Sequence, residues 1–135
     1  MTQTAKDIVT AYYAAFNAAD PAAMLACVSD DIEHRVNEAG IRRGRDKFAE
    51  FCAHMGVSYR ETLKDIEIFS NAAGTRAAAE FVVHGEYLQT DPGLPEAKGQ
   101  RYTLPAGAFF DLKDGKISRV TTFYNLNDWI AQVSA

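Results

Sequence analysis

Few side chains in this sequence can move a proton near neutral pH, and the three histidines, His34, His54 and His84, head that short set. A free imidazole titrates near pH ~6.5, so a modest environmental shift suits it to general acid–base work. The histidines show no HxxxH or HxH spacing and neither Cys27 nor Cys52 lies beside one, so no metal site is expected. Tyr12, Tyr124, Asn37 and Asn125 can each donate a hydrogen bond to a carbonyl oxygen, although a buried tyrosine hydroxyl normally finds a partner with or without a substrate. Phe16, Phe51, Met55, Phe81, Phe109 and Tyr124 suit the wall of a mainly apolar cavity, and equally a core without one.

These residues are carried on two kinds of element. Thr4 to Asp7 has capping-box spacing, and Ile8, Val9, Tyr12, Ala15, Phe16 and Ala19 recur at helical intervals, which predicts a helix over 5–18. Asp20-Pro21 caps and opens a short second helix to about Cys27, closed by Ser29-Asp30-Asp31. Ile32–Asn37 reads as a strand. Gly44-Arg45-Asp46 starts a third helix whose apolar face is Phe48, Phe51, Cys52 and Met55, with His54 favouring its C-terminal end. Strands follow at Glu61–Phe69, Arg76–Leu88, Gln100–Leu112 and Lys116–Asn125, the last two joined by the hairpin signal Lys113-Asp114-Gly115. Gln89–Gly99, with two prolines and two glycines, is a long loop. A short helix over 127–133 closes the chain around Trp129. Helices first, then antiparallel strands, is the α+β pattern, with the helices packed on one face of the sheet.

Composition narrows the function classes. With 135 residues, 47% of them hydrophobic and 24% charged, residues 1–135 read as a single globular domain. A net charge of −4 argues against nucleic acid as partner. The one basic run, Arg42-Arg43-Gly44-Arg45, reads as a solvated helix start. No stretch approaches the ~20 apolar residues that span a bilayer. The N-terminus lacks a signal-peptide layout, and the two cysteines suit buried free thiols, so a cytoplasmic location is expected.

The segment Tyr12-Tyr-Ala-Ala-Phe-Asn-Ala-Ala-Asp20, followed by Asp30-Asp31, resembles the opening of ketosteroid isomerases and the wider SnoaL-like group. Tyr59-Arg-Glu61, Gly74–Phe81, His84-Gly-Glu-Tyr87, Gly99–Phe109 and Tyr124–Trp129 resemble the steroid isomerase-related proteins. The resemblance spans nearly the whole chain. It implies an NTF2-like (cystatin-like) cone, a strongly curved, mainly antiparallel sheet that encloses a pocket under N-terminal helices. Ketosteroid isomerase chemistry needs a proton-shuttling carboxylate and two donors to the enolate oxygen, a tyrosine and a protonated aspartic acid. The tyrosine falls on Tyr12. The base falls on Val36, with Asn37 or Glu38 there if the register shifts, and the second donor falls on Gly107. Two of three parts are missing, so authentic ketosteroid isomerase activity is not expected.

The resemblance implies that Val36 faces the pocket, and His34, two residues earlier, then shares its face. His34 is the acid/base candidate, with Glu38 behind it; the alternative is a structural hydrogen bond from His34 to Asp30 or Asp31. The resemblance implies an aspartate after this histidine, where this chain has Arg35. The same register turns Phe81, Val83, Gly85 and Tyr87 inward with Val120, Thr122 and Tyr124, and leaves His84 outside. The expectation is a cofactor-free enzyme performing isomerisation, cyclisation or dehydration on an apolar carbonyl or polyketide-like compound. His34, Tyr12 and Glu38 are its catalytic candidates. Phe16, Val36, Asn37, Phe51, Met55, Phe81, Tyr87, Gly107, Phe109, Tyr124 and Asn125 are its binding candidates. The alternatives are a non-catalytic apolar-ligand binder and a domain that homodimerises through an outer sheet face of Val82, Tyr102, Leu104, Ala106, Ala108 and Phe110.

Overall fold

The structure, a computed structural model, describes residues 3–135. Thr4 opens α1 (Ala5–Asn17) with the expected capping box: its hydroxyl accepts from the Asp7 amide, and the Asp7 carboxylate accepts from the Thr4 amide. Ile8, Val9, Tyr12, Tyr13 and Ala15 form its buried stripe. Asp20 caps α2 (Pro21–Ala26), with proline at the first helical position, where no amide hydrogen is required.

The strands form one six-stranded sheet in the order β2-β1-β6-β5-β4-β3. They are β1 (Val28–Val36), β2 (Arg42–Arg43), β3 (Tyr59–Ser70), β4 (Arg76–Tyr87), β5 (Arg101–Lys113) and β6 (Lys116–Tyr124). All neighbours run antiparallel except β1 and β6, which are parallel. The Asp114 and Gly115 backbones both take positive φ, 52° and 76°, as a two-residue hairpin between β5 and β6 requires. α3 (Arg45–Ser58) lies between β2 and β3 in sequence, and α4 (Leu126–Ser134) closes the chain.

Two local expectations need correction. Ser29-Asp30-Asp31 does not close a helix: β1 already starts at Val28, whose partner is Ile117, and a bulge between Val28 and Glu33 absorbs these three residues. Arg42 and Arg43 are not a helix start, because they pair with His34 and Glu33 as a short edge strand.

The helices pack on the sheet's concave face, around Val9, Tyr12, Tyr13, Phe48, Phe81, Phe110, Ile117 and Val120. The edge strand β3 is tied to α1 by Asn17, whose side chain donates to the Leu63 carbonyl (3.0 Å) and accepts from the Leu63 amide (2.8 Å). Arg45 ties α3 to the start of β1, donating to Asp30 (3.0 Å) and to the carbonyls of Leu25 (2.7 Å) and Val28 (3.0 Å).

Candidate functional site

Strand pairing decides which side chains reach the concave interior. β4 alternates strictly, with Phe81, Val83, Gly85 and Tyr87 buried. Phe81 pairs with Ala106, and Gly85 with Tyr102, so the even-numbered residues of β5 share that inner face. Ala106 pairs in turn with Tyr124 and Ala108 with Thr122, which sets Val120, Thr122 and Tyr124 inward on β6. His34 pairs with Val120 and Val36 with Thr122 across the parallel ladder, placing both on the concave side.

The same register corrects the outer-face expectation. Tyr102, Leu104, Ala108 and Phe110 are buried and face inward with Ala106, so they form no outer surface. Gly107 and Phe109, expected in the pocket, lie on the convex face instead. Phe109 is 47% exposed beside Phe123 (42%), the rings 6.0 Å apart. An open hollow of about 320 Å³ on this convex side is lined by Phe109, Phe123, Ile41, Arg35, Arg76 and Arg119, among others.

At one end of the interior is His34. It does not bond Asp30, which is taken by Arg45, nor Asp31, which accepts from Ser29. Its ring instead packs against Phe51 (4.5 Å between centroids) and edge-on to Phe48 (5.1 Å). Nδ1 is buried and has no hydrogen-bond partner among the described residues. Burial, with Arg42 beside it, lowers the imidazole pKa to about 4, so it is neutral at pH 7. Tyr12 packs on the same Phe48 ring (6.4 Å) and on Phe110 (6.0 Å), and burial raises its pKa well above the ordinary phenol value.

At the other end is a group of residues not singled out from sequence. Glu61, Gly85 and Tyr102 are directly opposite one another on β3, β4 and β5. The Tyr102 ring lies across Gly85: a Cβ there would come within 2.5 Å of its hydroxyl oxygen and closer still to Cζ and Cε2. Crossing the glycine brings the phenol to Glu61, to which it donates at 2.5 Å. Burial pushes the Glu61 carboxyl above the usual range, against the lowering effect of the phenol. Beside this pair, Asp91 accepts from the Tyr59 hydroxyl (2.7 Å) and pairs with His54 (3.1 Å). His54 is thus held by a loop carboxylate rather than by the end of its helix. Trp129 of α4 packs edge-on against Tyr59, Tyr87 and Tyr102.

The remaining candidates divide between the interior and the edges. Phe51 and Met55 are half-buried on α3, Phe16 is half-buried on α1, and Phe81 is buried against Tyr13 (5.1 Å). Tyr87 is buried and its hydroxyl is occupied, donating to the Pro95 carbonyl (2.6 Å) and accepting from the Asp91 amide (2.9 Å). Asn37 takes a left-handed backbone (φ 54°), and its side-chain oxygen accepts from the Tyr124 amide, which ties the turn after β1 to the end of β6. Asn125 is the N-cap of α4 and accepts from the Asp128 amide. Glu38 is exposed in the turn after β1, away from the interior.

A neutral buried imidazole beside a phenol at one end of the interior, and a carboxyl with a raised pKa among phenols at the other, are groups suited to proton transfer on an apolar compound. The family model for the SnoaL-like domain matches residues 9–120. The chain belongs to the SnoaL-like family. Among solved structures, a "putative polyketide cyclase" from Pseudomonas putida KT2440 superposes with a TM-score of 0.96 at 56% identity, covering 97% of this chain and 98% of that one. Another so described, from Silicibacter sp. TM1040, gives 0.95 at 59% identity, with 99% and 98% covered. An "LEH-like epoxide hydrolase" of Mycobacterium tuberculosis shares the SnoaL-like chain's fold at 18% identity (TM-score 0.76, 96% and 89% covered). An NTF2-like protein from Burkholderia pseudomallei shares it as well (TM-score 0.82, 16% identity, 99% and 100% covered). No curated protein matches the chain. No helix among the described residues of this SnoaL-like domain is long and apolar enough to cross a membrane.

Proposed function

We propose that this SnoaL-like protein is a cofactor-independent enzyme that isomerises, cyclises or dehydrates an apolar carbonyl or polyketide-like compound by proton transfer. The observation that carries the reading is His34: a neutral imidazole on an aromatic wall, its Nδ1 bonded to no group of the protein among the described residues. In this reading the unprotonated nitrogen of the imidazole removes a proton α to the substrate carbonyl, and the hydroxyl of Tyr12, whose ring packs on the same Phe48, holds the resulting enolate oxygen. The proton returns from the imidazolium to carbon, or to a departing hydroxyl. Solved structures of more than half identity described as "putative polyketide cyclase" support the substrate class. The half-buried thiols of Cys27 and Cys52 support a reducing compartment, the cytoplasm.

The test is turnover of a panel of cyclic enones and polyketide-type lactones by the wild type, His34→Ala and His34→Gln. Loss of a general base lowers the rate by about 10²–10⁴-fold; unchanged turnover removes His34 from the mechanism. A second reading, a dimerisation domain, has its own observation: Phe69 (60% exposed), Phe109 and Phe123 are aromatic side chains left to solvent. On that reading the wild type sediments as a homodimer and Phe109→Asp as a monomer. A monomeric wild type rules it out.

A further inference from the structure

We infer that His34, Arg42 and Phe51 form a recognition corner for the carboxylate of a planar, otherwise apolar ligand, which deepens the reading of the interior as a small-molecule site. His34 and Arg42 are directly opposite one another on β1 and β2, so their side chains leave the sheet on one face. Phe51 of α3 covers both: its ring centroid is 4.5 Å from the His34 ring and 4.5 Å from the Arg42 guanidinium carbon.

Most of the arginines have found acids. Arg43 pairs with Glu33, Arg45 with Asp30, Arg76 and Arg119 with Asp111, and Arg60 and Arg101 with Glu86. Arg42 has no carboxylate partner among the described residues, and its Nη1 is buried without a hydrogen bond, as is Nδ1 of His34. Arg35 and Arg45 each also have an unbonded buried Nε, but Arg35 lines the convex hollow and the other nitrogens of Arg45 are bonded to Asp30 and to the carbonyls of Leu25 and Val28. A buried donor left unsatisfied costs about 1–3 kcal/mol. Here two unsatisfied polar atoms come from a single cross-strand pair and flank a single aromatic ring.

The chemistry of the corner selects its ligand. A guanidinium stacked on a ring keeps its N–H groups free at its edge, where they fit a planar carboxylate in bidentate fashion. In the tautomer with its hydrogen on Nδ1 and Nε2 left unprotonated, the neutral imidazole donates a hydrogen bond without adding charge, so the corner carries one positive charge and favours a monoanion over a cation or a neutral amide. The half-buried ring of Phe51 suits a flat aromatic or enoic acid.

The experiment is calorimetric titration of the full chain with 2-naphthoate and with its neutral isostere 2-naphthamide, alongside ¹⁵N NMR of the His34 ring. The wild type should bind naphthoate at least about ten-fold more tightly, shift the His34 ring resonances, and lose affinity as salt is raised. Arg42→Gln should abolish the preference, while Arg42→Lys, which keeps the charge but not the fork, should retain part of it. Equal binding of the two probes, binding of neither, or a preference intact in Arg42→Gln overturns the inference. The NMR shift is read on the wild type, so an unstable variant does not remove the test. Because binding is measured without turnover, turnover that depends on His34 but comes with no preference for naphthoate would sink this inference alone. Preference without turnover would uphold it while the enzyme reading fails.

Discussion

Gly85→Ala is the substitution whose cost the structure specifies most closely. Gly85 is not among the positive-φ glycines, so its backbone would accept alanine; the obstacle is the Tyr102 ring lying over it. A new methyl meets Cζ, Cε2 and the hydroxyl, and the ring, 3% exposed and backed by Trp129, has little room to retreat. Overpacking of this kind costs about 1–3 kcal/mol. Displacing the phenol also breaks its bond to Glu61, worth about 1.5–3 kcal/mol for a hydrogen bond to a charged group. Removing a strand glycine returns roughly 0.5–1 kcal/mol. The net loss is about 3 kcal/mol, or roughly 10 °C in Tm at this chain length. Urea unfolding of a double-mutant cycle tests the cause. In a Tyr102→Ala background the methyl has nothing to strike, and Gly85→Ala should change stability by less than about 1 kcal/mol. In Tyr102→Phe the offending ring carbons remain but the hydrogen bond is already gone, so only the overpacking of about 1–3 kcal/mol should persist. An equal cost in the wild-type and Tyr102→Ala backgrounds would refute the account of Gly85 as the gap that lets Tyr102 reach Glu61.

His34 makes stability depend on pH. Its folded pKa of about 4 lies below the free value of 6.5, so the folded state holds fewer protons between those limits. Stability is therefore full above pH ~6.5 and falls by about 3 kcal/mol as pH drops to ~4. Glu61, its pKa raised, has the opposite slope, losing stability as pH rises through its folded pKa, so the useful quantity is the difference between wild type and His34→Gln in urea melts from pH 7.5 to 4.5. A difference that does not change with pH would contradict the buried neutral imidazole. Asn17→Ala leaves both backbone groups of Leu63 on an edge strand without their partner, at a cost of about 2 kcal/mol. Hydrogen exchange at the Leu63 amide should speed up with it, and an unchanged rate would count against the clamp.

The helices were legible because their signals are local. The Thr4–Asp7 capping box, Asp20-Pro21 and the Asp114-Gly115 hairpin each need only a few neighbouring residues, and each is found where expected. Arg42-Arg43 was harder, since a two-residue edge strand has no period of its own and exists only because Glu33 and His34 lie opposite. Asp91, deep in a loop with two prolines and two glycines, offers no local sign that it will hold both Tyr59 and His54.

The faces of β5 show where the two sources of expectation conflict, and which should have prevailed. Tyr102, Leu104, Ala106, Ala108, Phe110 and Leu112 form an unbroken apolar row at every second position, opposite Arg101, Thr103, Pro105, Gly107, Phe109 and Asp111. Taken alone, that alternation assigns the even set to the core, and the structure buries Tyr102, Leu104, Ala108, Phe110 and Leu112. The family register instead turned Gly107 and Phe109 inward, and with them the whole strand. A one-residue slip exchanges the two faces of a strand, so this choice also hid Tyr102 and, across Gly85, Glu61. Three short stretches, Tyr59-Arg-Glu61, His84-Gly-Glu-Tyr87 and Gly99-Gln-Arg-Tyr102, each resembled relatives separately. Only the pairing of Glu61 with Gly85 and of Gly85 with Tyr102 makes them one carboxyl–phenol unit, in which the glycine is needed for the space it leaves.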